Sequence, residues 1–328
     1  MTPTVCHNGE KSGGLIGDVS SRNGDVMIHR PPDQVESPPE RLRLLQVCNV
    51  GEITGGTAAC AWSITRSLPM CEHHIAFLSK ISDETRTAFA HCRLYEWSHV
   101  TGAAVADCNA DVVILHNTPA SRWNAPLGVP TIRYVHSLSP PGDEDVRWYC
   151  SHWLAAQCGE SRGTVVWQGV PRPLRLNDVD REQRTQLIIG RLCTPQLRKW
   201  PRTLTGFYRR LSDDVPDIMW EFVGCPASLQ SELHAACRGR TRFFAPCWKQ
   251  RRHLWNWDAL LYHNPTLTES FGRTAAEAMR AGCLPIVDAR GGFNEQIVEG
   301  TGFLCRDLDE FTAALHTIVD PYECQCRS

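Results

Sequence analysis

Short apolar runs recur along the chain, each followed by a helix-forming or irregular stretch, and this alternation limits the fold more than any other feature. Leu44-Leu45-Gln46-Val47-Cys48, Ile75–Leu78, Val112–Leu115 and Thr131–Val135 form a first series. Val165-Val166-Trp167, Leu187-Ile188-Ile189, Trp220–Val223, Arg242–Phe244, Ala259–Tyr262 and Pro285–Val287 form a second. Runs this short and continuous read as strands covered on both faces. Between them Thr57–Ser67, Arg202–Leu211 and Gly272–Ala281 read as helices, the first closed by Pro69 and the last by Gly282. Strands that alternate with helices pair in parallel, because the crossover returns each strand in the same direction. The 328 residues therefore read as α/β, with two doubly wound Rossmann-like domains facing across a cleft. Their expected limits are 42–160 and 161–320. A tail at 1–41 carries Gly13-Gly14, Pro31-Pro32 and Pro38-Pro39 without a sustained period, which predicts disorder, and 321–328 forms a second tail.

Charge excludes some partners. Lys and Arg number 34 against 36 Asp and Glu, a net charge of −2, so no bulk positive field points to nucleic acid or anionic lipid. The apolar runs are too short to span a membrane. The 16 cysteines are scattered, with no Cys-x-x-Cys pair, and most sit in apolar stretches. They read as reduced, buried thiols of a cytoplasmic protein rather than a zinc site or a disulfide framework. The N-terminus lacks the basic-then-apolar pattern of a signal peptide.

The most informative segment runs from Glu269 through Ser270-Phe271-Gly272-Arg273-Thr274 to Glu277 and Gly282. A strand leads through an irregular stretch into a helix whose first N–H groups have no intrahelical partner and can hold an anion. Gly272 lets a ligand approach the backbone without a Cβ in the way. Glu269 and Glu277 then flank the anion position, and carboxylates accept hydrogen bonds from vicinal hydroxyls, as a ribose or hexose presents them. Read more simply, Glu277 is a solvated helix residue near a positive dipole end.

This segment, with Pro285-Ile286-Val287-Asp288-Ala289-Arg290-Gly291-Gly292 and Glu295 downstream, resembles the E-x7-E region of family-4 retaining glycosyltransferases of the GT-B fold (glycosyl transferases group 1). Ile189-Gly190-Arg191-Leu192 and Lys199-Trp200-Pro201 are similar to that family's phosphate motif. Val166–Val170 stands where an Asn-Gly-Val element is common. Gly55-Gly56-Thr57 is similar to the acceptor-side glycine loop, and Thr131–His136 to the strand that ends in an active-site His. The resemblance implies that Arg191 and Lys199 bind the donor diphosphate, with Arg198 a second candidate for the Lys role. It places Glu277 on the ribose, and Glu269 on the donor sugar with the backbone at Phe271 and Gly272. Thr274 would lie beside the phosphates, His136 near the reacting sugar and Gly56 near phosphates or acceptor. The family pattern differs at Trp200, which replaces a Gly, and in the eight-residue spacing of Arg191 and Lys199. Family members also continue with helices that cross back to the first domain, whereas this sequence stops soon after Leu308–Ile318.

The implied reaction moves a hexose from a nucleoside-diphosphate sugar (UDP-, GDP- or ADP-linked) to a saccharide or lipid-linked acceptor. No cofactor and no metal are expected, because fixed cations and oriented N–H donors can meet the leaving diphosphate. A GT-B nucleotide-sugar epimerase and a non-catalytic sugar-nucleotide-binding protein are the alternatives. Other matches fail on context. Gly159-Glu160-Ser161-Arg162-Gly163 fits G-x-S-x-G, but a helix precedes it and a strand follows. The Asp-x-Asp pairs at Asp143–Asp145, Asp178–Asp180 and Asp307–Asp309 do not directly follow apolar strands, and His73-His74 lacks further ligands nearby. His116 ends a strand at a cleft-facing position. Trp248–Trp257, basic with interleaved aromatics, reads as a loop with packed tryptophans, then as a donor contact, and last as a peripheral membrane or nucleic-acid patch.

Overall fold

The structure, a computed structural model, describes residues 41–175, 184 and 186–326, of which 320–326 as backbone alone. The tail expected at 1–41 lies, apart from Arg41, outside the described residues, as does the Asp178–Asp180 pair. The first sheet contains β1 (Arg43–Cys48), β2 (Glu72–Phe77), β3 (Arg93–Glu96), β4 (Val112–His116), β5 (Thr131–Val135), β6 (Val146–Tyr149) and β7 (Thr164–Val165). Its order is β3-β2-β1-β4-β5-β6-β7, and every pairing is parallel. The second contains β8 (Leu187–Leu192), β9 (Ile218–Val223), β10 (Thr241–Phe244), β11 (Ala259–Tyr262), β12 (Leu284–Asp288) and β13 (Phe303–Cys305). It runs β10-β9-β8-β11-β12-β13, again wholly parallel. In both sheets the strand order reverses beside the first strand. Crevices therefore open at the carboxyl ends of β1 and β4, and of β8 and β11.

The helices are α1 (Gly56–Ser67), α2 (Asp83–Ala88), α3 (Gly102–Asp107), α4 (His152–Gln157), α5 (Leu204–Asp214), α6 (Ala227–Ala236), α7 (Arg273–Arg280), α8 (Phe293–Gln296) and α9 (Leu308–Cys326). Successive side chains of a strand point to opposite faces. Leu45 and Val47 thus enter one core with Val113, Leu115, Val100 and Val105, while Leu44 and Ile114 enter another with Cys60, Tyr134 and Leu154. A single larger core fills the second domain around Trp200, Tyr208, Trp220, Phe222, Trp257 and Phe311.

Two expectations about limits change. Thr164–Val165 pairs with β6 as the edge of the first sheet, so the first fold unit runs past residue 160 and Val165 does not start the second series. The backbone at 321–326 is not a tail but the continuation of α9. The Gly159–Gly163 match lies between α4 and β7, the wrong order for a nucleophile elbow.

The two units touch through specific contacts. Phe271 and Ala276 pack into the core that holds Tyr134 and Val135. Trp248 meets Trp62 edge to face with centroids 5.2 Å apart, and its N–H donates to Glu84 Oε1 at 2.6 Å. Glu295 accepts from the first N–H groups of α4, those of His152 (2.9 Å) and Trp153 (2.6 Å), where a carboxylate suits the helix dipole.

Trp257 is the wedge of the second core. It lies over Gly190 so closely that a Cβ there would come within 1.9 Å of the indole ring. Gly190→Ala therefore forces the ring out of place, and overpacking of this kind costs about 1–3 kcal/mol; equilibrium denaturation should show at least that loss. The same indole donates to Glu221 Oε2 at 2.7 Å, and Glu221 also meets His253 (3.1 Å) and Arg242 (3.2 Å). Burial pushes the Glu221 carboxyl up, but these partners outweigh it and hold the group below its ordinary value. A carboxylate depressed in this way stabilises above its unfolded pKa, near 4.3, and loses that contribution as pH falls through the folded value. Glu221→Gln should cost about 1.5–3 kcal/mol at neutral pH. The difference from the parent should narrow below about pH 4, and urea titrations across pH 3–7 measure it.

Candidate functional site

A cleft of about 530 Å³ lies between the carboxyl ends of the two sheets. Its first-domain wall holds Asn49, Gly55, Gly56, Thr57, Asn117, His136 and Leu138. Its second-domain wall holds Thr194, Arg198, Lys199, Arg251, Glu269, Ser270, Phe271, Gly272, Arg273 and Thr274. The sequence thus brings Gly56, His136, Lys199, Glu269, Phe271, Gly272 and Thr274 together in one cleft. Arg191 and Glu277 are not on its surface.

α7 points its N-terminus into this space. Gly272 caps it in the left-handed region (φ 84°), which a side chain rarely adopts, and a Cβ there would also strike Phe293 at 2.2 Å. The first-turn N–H groups of Arg273 and Thr274 precede the intrahelical ladder, and both residues line the cleft. Glu269 sits on the approach to this turn, where the N–H of Gly292 donates to its carbonyl at 2.9 Å. Its carboxylate Oε1 receives both Lys199 Nζ and the Tyr262 hydroxyl. A cation and a carboxylate paired at the rim can separate to meet a phosphate and a sugar hydroxyl.

Two of the expected site residues lie behind the cleft surface. Arg191 is entirely buried, sandwiched between the faces of Trp200 (5.0 Å) and Tyr262 (4.7 Å). Its terminal nitrogens donate to the carbonyls of His263 (3.0 Å) and Lys199 (2.8 Å). Arg191 therefore holds the backbone at Lys199 from within the core. The flat indole of Trp200, standing where glycine is usual, makes one side of that sandwich. Glu277 is 2% exposed, and both its oxygens are taken. Arg251 Nε donates to both oxygens at 3.0 Å, and Arg273 Nε to Oε1 at 3.0 Å. In this arrangement Glu277 holds two arginines at the cleft.

Arg251 and Arg273 are the residues that sequence reasoning missed. Arg251 lies in the Trp248–Trp255 3₁₀ turn, its guanidinium 3.9 Å from the Trp248 ring centroid. His253 of this turn and Trp257 just after it are buried, while Trp248 and Trp255 are partly buried. Arg273 spans the cleft floor. It donates to Ser63 Oγ of α1 (2.6 Å), and to the Gly169 carbonyl (3.2 Å) and Gln168 Oε1 (3.4 Å) of the linker after β7. Spacing offered one clue, since Arg273 and Glu277 are four apart on a helix.

His136 ends a buried polar chain. Its Nδ1 lies 3.0 Å from Gln168 Nε2, its Nε2 3.1 Å from His116 Nδ1, and His116 Nε2 2.9 Å from Gln46 Oε1. Because Gln168 turns its oxygen to Arg273, its amide donates to His136, and the protons are assigned to Nε2 of both rings. Burial lowers His116 to about 3 and, with His116 and Arg273 nearby, His136 well below its ordinary value. Both imidazoles are neutral. His73 and His74 bond instead to the Leu68 carbonyl and Glu72, and the Asp307 carboxylate caps α9 through the Glu310 N–H. Neither gathers a ligand set. The described cysteines are free and mostly buried, and among the described residues no helix is long and apolar enough to cross a membrane.

Residues 183–320 match the family model of glycosyl transferases group 1. No curated protein matches the chain by sequence. Among solved structures, HepE from Anabaena in complex with UDP is similar at TM-score 0.66 and 15% identity, over 85% of this chain and 90% of that one. A glycosyltransferase from Rickettsia africae gives 0.63 and 13%, over 86% and 89%. Sucrose-phosphate synthase from Thermosynechococcus elongatus gives 0.58 and 14%, over 86% and 91%. At such identities the likeness carries the fold, and the fold is GT-B.

Losing Glu277 leaves two buried guanidinium groups without their carboxylate. Glu277→Ala should therefore lower stability by about 3–5 kcal/mol. Arg198→Ala, at an exposed position, should stay within about 0.5 kcal/mol of the parent. Thermal and urea melts of the two variants separate the internal brace from the surface cation.

Proposed function

We propose, on the premise that residues 183–320 belong to glycosyl transferases group 1, that this chain is a retaining glycosyltransferase. Its donor is a nucleoside-diphosphate hexose, and its acceptor a saccharide or lipid-linked glycan. The observation that carries the reading is the concentration of positive character on one wall: the α7 N-terminus opened by Gly272, with Arg198, Lys199, Arg251 and Arg273 on the same cleft. A departing diphosphate needs such a wall, because its charge grows as the glycosidic bond breaks. HepE, similar in fold, has been solved with UDP and with UDP-glucose, which supports a uridine donor here. The free, buried thiols support a reducing compartment such as the cytoplasm.

In this mechanism the acceptor hydroxyl attacks the anomeric carbon from the face the diphosphate leaves. The bond from that carbon to the phosphate oxygen breaks, the bond to the acceptor oxygen forms, and the acceptor proton passes to a diphosphate oxygen. Lys199 gives up its pairing with Glu269 to meet the phosphates, and Glu269 turns to the hydroxyls of the transferring sugar. Arg251 and Arg273 stay fixed by Glu277. His136, neutral and engaged at both nitrogens, lines the acceptor side as a polar wall and not as a free base. The fixed cations take the part a divalent metal plays elsewhere, so turnover should persist in chelator.

The variants separate binding from chemistry. Lys199→Ala removes a charge-assisted contact present in both the donor complex and the transition state. It should raise donor KM and lower kcat, with kcat/KM falling about 10–150-fold. Glu269→Gln should mainly lower kcat while free UDP binds as in the parent. Donor-saturation kinetics with product identified as a new glycoside test the assignment. Production of an isomerised nucleotide sugar, or binding without turnover, would replace it.

A further inference from the structure

Behind the cleft wall, Cys60 of α1, His116 at the end of β4 and His136 just beyond β5 each offer one ligand atom, and these atoms lie within 4.8 Å of one another. We propose that they form a binding site for a borderline-soft divalent cation of the Zn²⁺ class. This site is distinct from the anion-binding wall and shares no residue with Arg198, Lys199, Arg251 and Arg273.

Donor chemistry selects the ion. One thiol sulfur and two imidazole nitrogens suit Zn²⁺ and disfavour Mg²⁺ or Ca²⁺, which take oxygen ligands. The scaffold is rigid, since His116 sits on a central strand and Cys60 is buried within α1. Both histidines already have side-chain partners on their outer nitrogens. His116 Nε2–H is held by Gln46 Oε1 at 2.9 Å, which leaves Nδ1 aimed at the site. His136 Nδ1 is held by the Gln168 side chain at 3.0 Å, which leaves Nε2 aimed at the same point. The two inward nitrogens are 3.1 Å apart and at present share one proton. The cation takes its place. That proton moves to His136 Nδ1, where Gln168 receives it on oxygen after its amide turns over, giving up the 3.4 Å contact from Arg273. Cys60 loses its thiol proton to solvent as sulfur binds. Burial holds that thiol up at about 12, and the Arg273 guanidinium pulls it part of the way back. His136 lines the cleft, so the fourth position opens there, the arrangement of three protein ligands and one exchangeable site.

The full-length, reduced and chelator-treated protein is titrated with Co²⁺, a spectroscopic substitute for Zn²⁺. The expected result is a thiolate-to-cobalt charge-transfer band that saturates at one equivalent per chain and is removed by Zn²⁺. Cys60→Ser should abolish the band and weaken binding at least about 100-fold, and Gln46→Ala, which touches no metal, should weaken it about 10–100-fold. Cys71→Ser should leave both readings unchanged. Circular dichroism confirms that each variant folds. Cobalt X-ray absorption on the parent, which needs no variant, should show one sulfur and two imidazole nitrogens. A parent without the band, a band that persists in Cys60→Ser, or a coordination shell of oxygen alone overturns the proposal. None of these readings depends on transferase activity.

Discussion

The cleft depends on one carboxylate buried beneath two guanidinium groups. Glu277 holds Arg251 and Arg273 in place, and neither arginine has another carboxylate partner among the described residues. Moving charges out of water is costly, and a pair offsets that cost only when its geometry is good and its remaining hydrogen bonds are made. Here they are made. Arg273 spends its other nitrogens on Ser63, Gly169 and Gln168, and Arg251 lies on Trp248. The arrangement is stable as a group and unstable if any member is removed.

That group also joins the two domains. Arg273 is the first residue of α7, so the residue at the anion-binding helix end is the one whose side chain crosses to α1 and the linker. Trp248, which stacks on the Arg251 guanidinium, packs on Trp62 of α1. Glu295 on α8 reaches back to the first turn of α4. The pieces that would meet a diphosphate are thus held by contacts that set the register of one domain on the other.

The strands were legible where both faces are covered, because burial on both sides demands an unbroken apolar run: β5 and β11 fall on the expected residues. β3 (Arg93–Glu96) and β6 (Val146–Tyr149) escaped because these four-residue, partly exposed strands carry charged residues that break the apolar run, as in Arg-Leu-Tyr-Glu and Val-Arg-Trp-Tyr. The site was legible as a segment more than as atoms. The path from Glu269 to Thr274 into a helix start is a local pattern, and it lines the cleft. The direction of a long side chain is not local. Arg191 turned inward because Trp200 and Tyr262 offered two ring faces and two carbonyls lay within reach. Glu277 was captured by Arg251, whose distance in sequence gives no spacing signal.

The two sides of the cleft differ in how they handle polarity, and this difference divides the chemistry. The second-domain wall collects full charges that are paired at the rim (Lys199 with Glu269) or braced from behind (Arg251 and Arg273 on Glu277). The opposite side is neutral instead: His136 and Gln168 line the cleft, linked to the buried His116 and Gln46 in a chain where burial disfavours charging of the rings. In the metal-free chain a charged imidazole facing Arg273 would repel it and weaken the bridge between domains. A neutral chain holds the same geometry without that repulsion, so the acceptor side can stay close to the cationic wall.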